Sequence, residues 1–147
     1  MRESEETVKA TAPFLRFDGN CREAMEFYRK CFEAELFLLP YSEVPGDVLT
    51  GAQKRQDRIM HATLTKEATL LMAADIFPGT PFQRGNHFAI LVHCESLQEQ
   101  QQLFAALGEN GEVNMPLQDT FWGARFGELT DRFGIRWMLN FALPKPG

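Results

Sequence analysis

The chain has 147 residues, 44% of them apolar, and a formal charge of −5 at neutral pH, enough apolar content to bury one core. An acidic balance with scattered lysines and arginines argues against an electrostatic grip on nucleic acid or on an anionic membrane, since both need a basic face. No stretch reaches the eighteen or so apolar residues of a spanning helix, MRESEETVKA is too polar for a secretory leader, and the three cysteines lack C-x-x-C spacing and read as reduced thiols, so a cytoplasmic protein is expected.

Residues 1–10 show no periodicity and read as a flexible leader, with 11–147 as a single domain. Phe14-Leu15-Arg16-Phe17 predicts a short strand and Asp18-Gly19-Asn20 a turn. Ala24, Phe27, Tyr28, Cys31 and Phe32 recur at spacings of three and four, the stripe of an amphipathic helix starting near Cys21 or Arg22. A strand over Glu35–Tyr41 follows, then a loop over 42–57. Arg58–Thr65 and Ala68–Ala74 read as a hairpin across a Lys66-Glu67 link. The linker 76–86 contains Phe77 and Phe82, which suggest packing across a module or dimer interface.

The second half repeats this order. A strand over His87–Cys94, a helix over Ser96–Leu107 and strands over Glu112–Leu117, Gly123–Thr130 and Ile135–Ala142 are predicted. Phe27, Tyr28 and Cys31 align with Leu103, Phe104 and Leu107 at an offset of 76 (103 − 27), which also lays Phe14 on Ile90. Ile59–Lys66 aligns with Ala124–Asp131 at 65 (124 − 59), and Leu71 with Met138 at 67 (138 − 71). The fold class is therefore α+β, with two tandem β-α-β-β-β modules at about 11–75 and 87–142. One helix cannot cover both faces of a four-stranded sheet, so the modules are expected to share a core and enclose a small-molecule cleft.

Several segments resemble the vicinal oxygen chelate superfamily, the fold of glyoxalases, bleomycin-resistance proteins and extradiol dioxygenases, and within it the PhnB-like branch. They are Phe17-Asp18-Gly19-Asn20 leading into Ala24-Met25-Glu26-Phe27-Tyr28, then Ile59-Met60-His61-Ala62, Leu71-Met72-Ala73-Ala74-Asp75, and the run from Met115 to Gly127. The resemblance covers nearly the whole chain. It implies paired modules forming an incomplete, cleft-bearing barrel, and commonly a homodimer.

It also implies four metal-ligand positions, one near the start of the first strand of each module and one in the last strand of each. His87 falls on one. Its counterpart is Thr11 by the internal offset (87 − 76), or Pro13 when the helices are aligned to the family. The other two fall near Leu71 and Met138, both apolar. A catalytic divalent ion takes at least three protein donors. His93 shares a strand face with His87 but lies roughly 20 Å away along extended chain, and His61 with His87 still makes only two donors. No resident metal is expected. Without a glycine-rich phosphate loop or G-x-G-x-x-G, no nucleotide cofactor or S-adenosylmethionine is expected either.

The best reading is a small-molecule-binding protein with Tyr41, Leu71, Gln118, Asp119, Trp122, Arg125 and Met138 as ligand-binding candidates. Asp119 and Thr120 can equally shape a tight connection, with Trp122 covering core and Arg125 paired to a local carboxylate. Cys21, near a helix start, reads as a packed thiol. The alternatives are a lyase or isomerase using His87 or His61, with or without the help of a divalent metal ion, and a dimeric structural module.

Overall fold

The structure is a computed structural model that describes residues 10–145; most of the expected leader and the end of the Pro-rich tail lie outside the described residues. In β1 (Phe14–Phe17) Leu15 and Phe17 are buried while Phe14 and Arg16 are exposed, the period-two signature of a strand covered on one face. After a turn through Gly19, whose φ of 95° suits a residue without Cβ, α1 (Cys21–Phe32) buries Cys21, Ala24, Met25 and Tyr28. Burying a side chain such as Met25 stabilises by about 1.5–3 kcal/mol. β2 (Glu35–Pro40) leads into a 3-10 turn, Tyr41–Glu43, and the short helix α2 (Gly51–Lys54). β3 (Ile59–Lys66) and β4 (Ala68–Asp75) complete a sheet in the order β1-β4-β3-β2, with β1 parallel to β4 and the other pairs antiparallel. Helix α1 packs on β2, β3 and β4.

The second set has the same layout. β5 (Ile90–His93), α3 (Leu97–Leu107), β6 (Glu112–Asp119), β7 (Ala124–Thr130) and β8 (Arg136–Ala142) give the order β5-β8-β7-β6. Ser96 caps α3 by accepting from the Glu99 backbone N–H. α3 packs on β7 and β8, and its buried Gln100 donates through Nε2 to the carbonyls of Arg125 and Leu139. Gly127 sits where α3 comes close: a Cβ there would meet Phe104 Cε1 and Leu117 Cδ2 at 2.9 Å. The chain divides into two units, Met1–Thr80 and Pro81–Gly147, and each has one open four-stranded sheet with a helix on one face.

Several expectations need correction. The strand predicted over His87–Cys94 is only Ile90–His93, because its pairing to β8 begins at Ile90 opposite Trp137; His87 precedes the ladder and is exposed. The hairpin link is tighter than two residues, since Lys66 still pairs with Ala68 and Glu67 alone turns the chain at φ 67°. Tyr41 leaves the strand for the 3-10 turn, and the 42–57 segment contains α2, held by a Thr50–Gln53 capping box.

The register between the halves also changes. Met72 donates its N–H to Pro13, and Ile76 donates to Phe17, so Met72, Ala74 and Ile76 are the residues bonded to β1; in the other sheet Asn140 and, by alternation, Met138 are bonded to β5. Met72 therefore corresponds to Met138 (138 − 72 = 66) and its partner Phe14 to Leu91 (91 − 14 = 77). The offset of 65 for β3 and β7 stands, because Leu64 opposes Leu71 and Leu129 opposes Trp137. Leu71 is thus equivalent to buried Trp137, not to Met138, and His87 matches Ala10 (87 − 77) rather than Thr11.

Two buried aspartates fasten the units in different ways. Asp75 accepts from the N–H groups of Gly19 and Cys21 through Oδ1 (2.7 and 3.0 Å) and of Ile59 through Oδ2 (2.8 Å), joining the end of β4, the start of α1 and the start of β3. Asp131 accepts from the N–H groups of Phe133 and Ile135 and from Trp137 Nε1, which shapes the β7–β8 turn and fixes the largest core side chain.

Candidate functional site

Strand alternation gives each sheet one face against its helix and one face away from it. In the first unit the second face carries Phe14 and Arg16 from β1, Met72 and Ala74 from β4, His61 and Thr63 from β3, and Phe37 and Leu39 from β2. Phe14 is 46% exposed and Phe37 58% exposed. The Phe14 ring lies 6.2 Å from the His61 ring, and the Arg16 guanidinium carbon stands 5.5 Å from the Phe14 centroid. His61 Nε2 is 3.0 Å from Thr63 Oγ1. Sequence reasoning singled out His61 but missed Phe14, Arg16 and Phe37. The signal was present, because Phe14 and Arg16 alternate with the apolar pair Leu15 and Phe17.

In the second unit the corresponding face carries Leu91 and His93 from β5, Met138 and Asn140 from β8, and Phe126 and Glu128 from β7. Glu128 Oε2 accepts from Arg136 Nε and from one terminal nitrogen, at 3.2 and 3.0 Å. Trp122 is 59% exposed and packs edge-on against Phe126 and Phe121.

The structure separates the expected ligand-binding residues. Gln118 pairs with Phe126, and with Trp122 and Met138 it belongs to the uncovered side of the second sheet. Arg125 has the parity of Gly127 and Leu129, on the helix side, where it forms an ion pair with Asp119 at 3.4 Å. Leu71 is fully buried on the helix side of the first sheet, one residue out of phase with the uncovered face. Tyr41 is also fully buried, packed with Val44 and Leu49 and against Leu39, Met60 and Phe77. Among the described residues its hydroxyl has no hydrogen-bond partner, and burial pushes its pKa up against the opposing pull of Arg58. Leu71 and Tyr41 are thus core residues of the first unit.

Cys21 and Cys94 are quiet thiols. Burial, reinforced by Asp75, pushes Cys21 up to about 12, and burial with Glu99 pushes Cys94 up to about 11. The helix start at Cys21 does not activate it. Among the described residues no group of three or more His, Cys, Asp or Glu side chains is placed to hold a metal ion. Among the described residues no helix is long and apolar enough to cross a membrane.

Comparison with known proteins places these features in context. The profile of the family described as 3-demethylubiquinone-9 3-methyltransferase matches residues 9–140. Protein PA1353 from Pseudomonas aeruginosa is 38% identical, with a TM-score of 0.82 over 93% of this chain and 100% of that one. A PhnB protein from Bacillus cereus is 28% identical, with a TM-score of 0.73 over 91% and 100%. A glyoxalase/bleomycin resistance/dioxygenase domain from Frankia sp. EAN1pec shares 12% identity and a TM-score of 0.66 over 96% of each chain, a likeness of fold.

Proposed function

The chain belongs to the 3-demethylubiquinone-9 3-methyltransferase family, the PhnB-like branch of the vicinal oxygen chelate superfamily, and from that membership we propose that it binds a small molecule without a resident metal ion. The observation that carries this reading is the uncovered face of the first sheet, where exposed Phe14 and Phe37 stand with Arg16, His61 and Thr63. Large apolar side chains left in water beside a few polar groups make a surface suited to a ligand that is mostly apolar and fixed by one or two polar contacts. The positions that carry metal ligands in metal-using relatives offer His87 alone as a donor; the matching residues are Ala10, Met72 and Met138. Methyl transfer is not part of this reading, because the strand-to-helix turns at Asp18–Asn20 and Glu95–Ser96 form no glycine-rich cradle for a nucleotide-like donor.

The test is a panel of neutral, anionic and cationic aromatic and aliphatic compounds, screened by thermal shift and NMR on protein treated with EDTA. Binding that survives chelation is expected, with chemical-shift changes at His61 and Ala74. Binding or turnover that vanishes on chelation and returns with a divalent ion would sink the metal-free reading. A second reading, acid-base catalysis, has one observation behind it: His61 lies on the uncovered face and, among the described residues, has one ring nitrogen engaged. Turnover lost in His61→Ala would establish it. Exposed Phe88 and Phe121, 71% and 97% accessible, support assembly as a homodimer. Sedimentation as a monomer at micromolar concentration would refute that.

A further inference from the structure

The charge balance of the first sheet's uncovered face narrows the kind of molecule it can hold. Among the described residues the Arg16 side chain makes no ion pair or hydrogen bond, and its guanidinium carbon stands 5.5 Å from the Phe14 ring centroid. The other arginine near this sheet edge, Arg58, is already committed to Asp18 and to the Ile76 carbonyl. Among the described residues the carboxylates nearest this sheet edge are committed too. Asp18 holds Arg58, and Asp75 is buried under three backbone N–H groups. Among the described residues of the uncovered face the one acidic residue is Glu35, which opposes Thr65, whereas His61 opposes Leu39. Four residues of extended chain put that row about 13 Å from the His61 row. In a chain of net charge −5, no carboxylate among the described residues answers the positive charge of this patch.

Its surroundings define a shape. Arg16 is directly opposite Ala74, and Ala62, the residue after His61, pairs with Ala73, so continuing the ladder sets the small Ala74 side chain between Arg16 and His61. The result is a shallow floor of alanine, with a guanidinium on one side, an imidazole on the other and the Phe14 ring touching both. A guanidinium resting on an aromatic ring keeps its hydrogen-bonding edge free, and that edge matches the two oxygens of a carboxylate. Met72 and Phe37, in the adjoining row with Phe14 and Thr63, extend the apolar surface.

We infer that the first unit takes a small aromatic carboxylate, with its acid group on Arg16 and its ring against Phe14. This rests on the small-molecule reading above and adds the ligand's charge and the residue that selects it.

The probes are 2-naphthoate, its neutral isostere 2-naphthamide and the cation 2-naphthylmethylamine, titrated by calorimetry and NMR against the full chain, Arg16→Met and Arg16→Lys. The expected result is that naphthoate binds at least about tenfold tighter than naphthamide, the scale of one charge-assisted hydrogen bond, with shifts centred on Ala74 and His61. Arg16→Met should erase the preference for acid over amide, and Arg16→Lys should keep part of it. Arg16 is exposed, so both variants should retain the native circular dichroism. Equal affinities for acid and amide, a preference that survives Arg16→Met, or shifts confined to the second unit would overturn the inference while small-molecule binding stands. If naphthoate fails to bind at millimolar concentration the inference also falls, and the compound panel described under Proposed function then decides the parent reading separately.

Discussion

Replacing Asp75 with Asn tests the idea that one carboxylate ties three elements of the first unit together. In the native chain Oδ1 serves the N–H groups of Gly19 and Cys21, and Oδ2 serves that of Ile59. An asparagine can keep its oxygen on one side only, so its amide nitrogen would face the Ile59 N–H, donor against donor. The loss is one hydrogen bond to a charged group, worth about 1.5–3 kcal/mol, plus an orphaned N–H at fully buried Ile59, worth about 1–3 kcal/mol. These terms overlap, and we expect a net loss of about 2–4 kcal/mol. With an m-value near 2 kcal/mol/M, the urea midpoint should fall by about 1–2 M at unchanged m. Asp18→Asn is the control, since its half-exposed pair with Arg58 should cost only about 0–1 kcal/mol. Asp75→Asn should also let the Cys21 thiol titrate lower, because Asp75 is the second cause of its elevation after burial. A midpoint within 0.2 M of wild type (about 0.4 kcal/mol at that m-value) would refute the argument that Asp75 is a structural tie.

The raised thiols give an alkaline signature. Unfolded cysteines lose their protons near the ordinary value of 9.0, whereas folded Cys21 keeps its proton to about 12 and Cys94 to about 11. The unfolded state then binds fewer protons, so stability that is intact below pH 9 falls as pH rises from 9 toward 12, by at most about 1.4 kcal/mol per pH unit for each thiol. Denaturation curves at pH 8, 9 and 10 check this, and Cys21→Ala should flatten the dependence. Gly127→Ala should cost about 1–3 kcal/mol by thermal melting, because the new methyl meets Phe104, Leu117 and the Met115 carbonyl at 2.9–3.0 Å; a stability gain would show that α3 yields freely there. The two tryptophans should separate in fluorescence. Trp122→Phe should leave a blue-shifted emission shielded from acrylamide, that of buried Trp137, and a strongly quenched residual emission would contradict the burial described here.

Much of the architecture was legible because its signals are local. The stripe from Ala24 to Phe32 and the Ser96–Glu99 start each specify a helix through their own spacing. Alternation of Leu15 and Phe17 with Phe14 and Arg16 specifies a strand. Features set by partners far along the chain were not legible. β5 starts late because its pairing with β8 begins at Ile90 opposite Trp137, and Tyr41 turns inward because Val44, Leu49 and Phe77 gather around it. Nothing next to His87 or Tyr41 in sequence reports either fact. Asp75, inside an apolar run, gave no sign of its three backbone partners on α1, β3 and the turn between β1 and α1.

The register error has the largest consequence for the site, because a helix tolerates a slip of one residue and a strand does not. The helix offset of 76 is sound, since Asn20 and Ser96 occupy the same cap position. Carried into the strands, however, it ignores a connection one residue shorter in the second half, where Cys94, equivalent to Phe17, is separated from Leu97 by two residues instead of three. That slip exchanges the faces of β4, taking Leu71 for an open-face residue when Met72 holds that place beside Phe14. Paired substitutions decide the matter. Leu71→Asp buries an unpaired carboxylate in the helix-packed core and should cost about 3–5 kcal/mol or abolish folding. Met72→Asp places the same group on the half-buried open face near Arg16, and should cost no more than about 1.5 kcal/mol while abolishing naphthoate binding by repelling its carboxylate and competing for the guanidinium. Equal destabilisation by the two substitutions would mean that the faces of β4 are not distinguished as described, and the ligand position would have to be sought elsewhere.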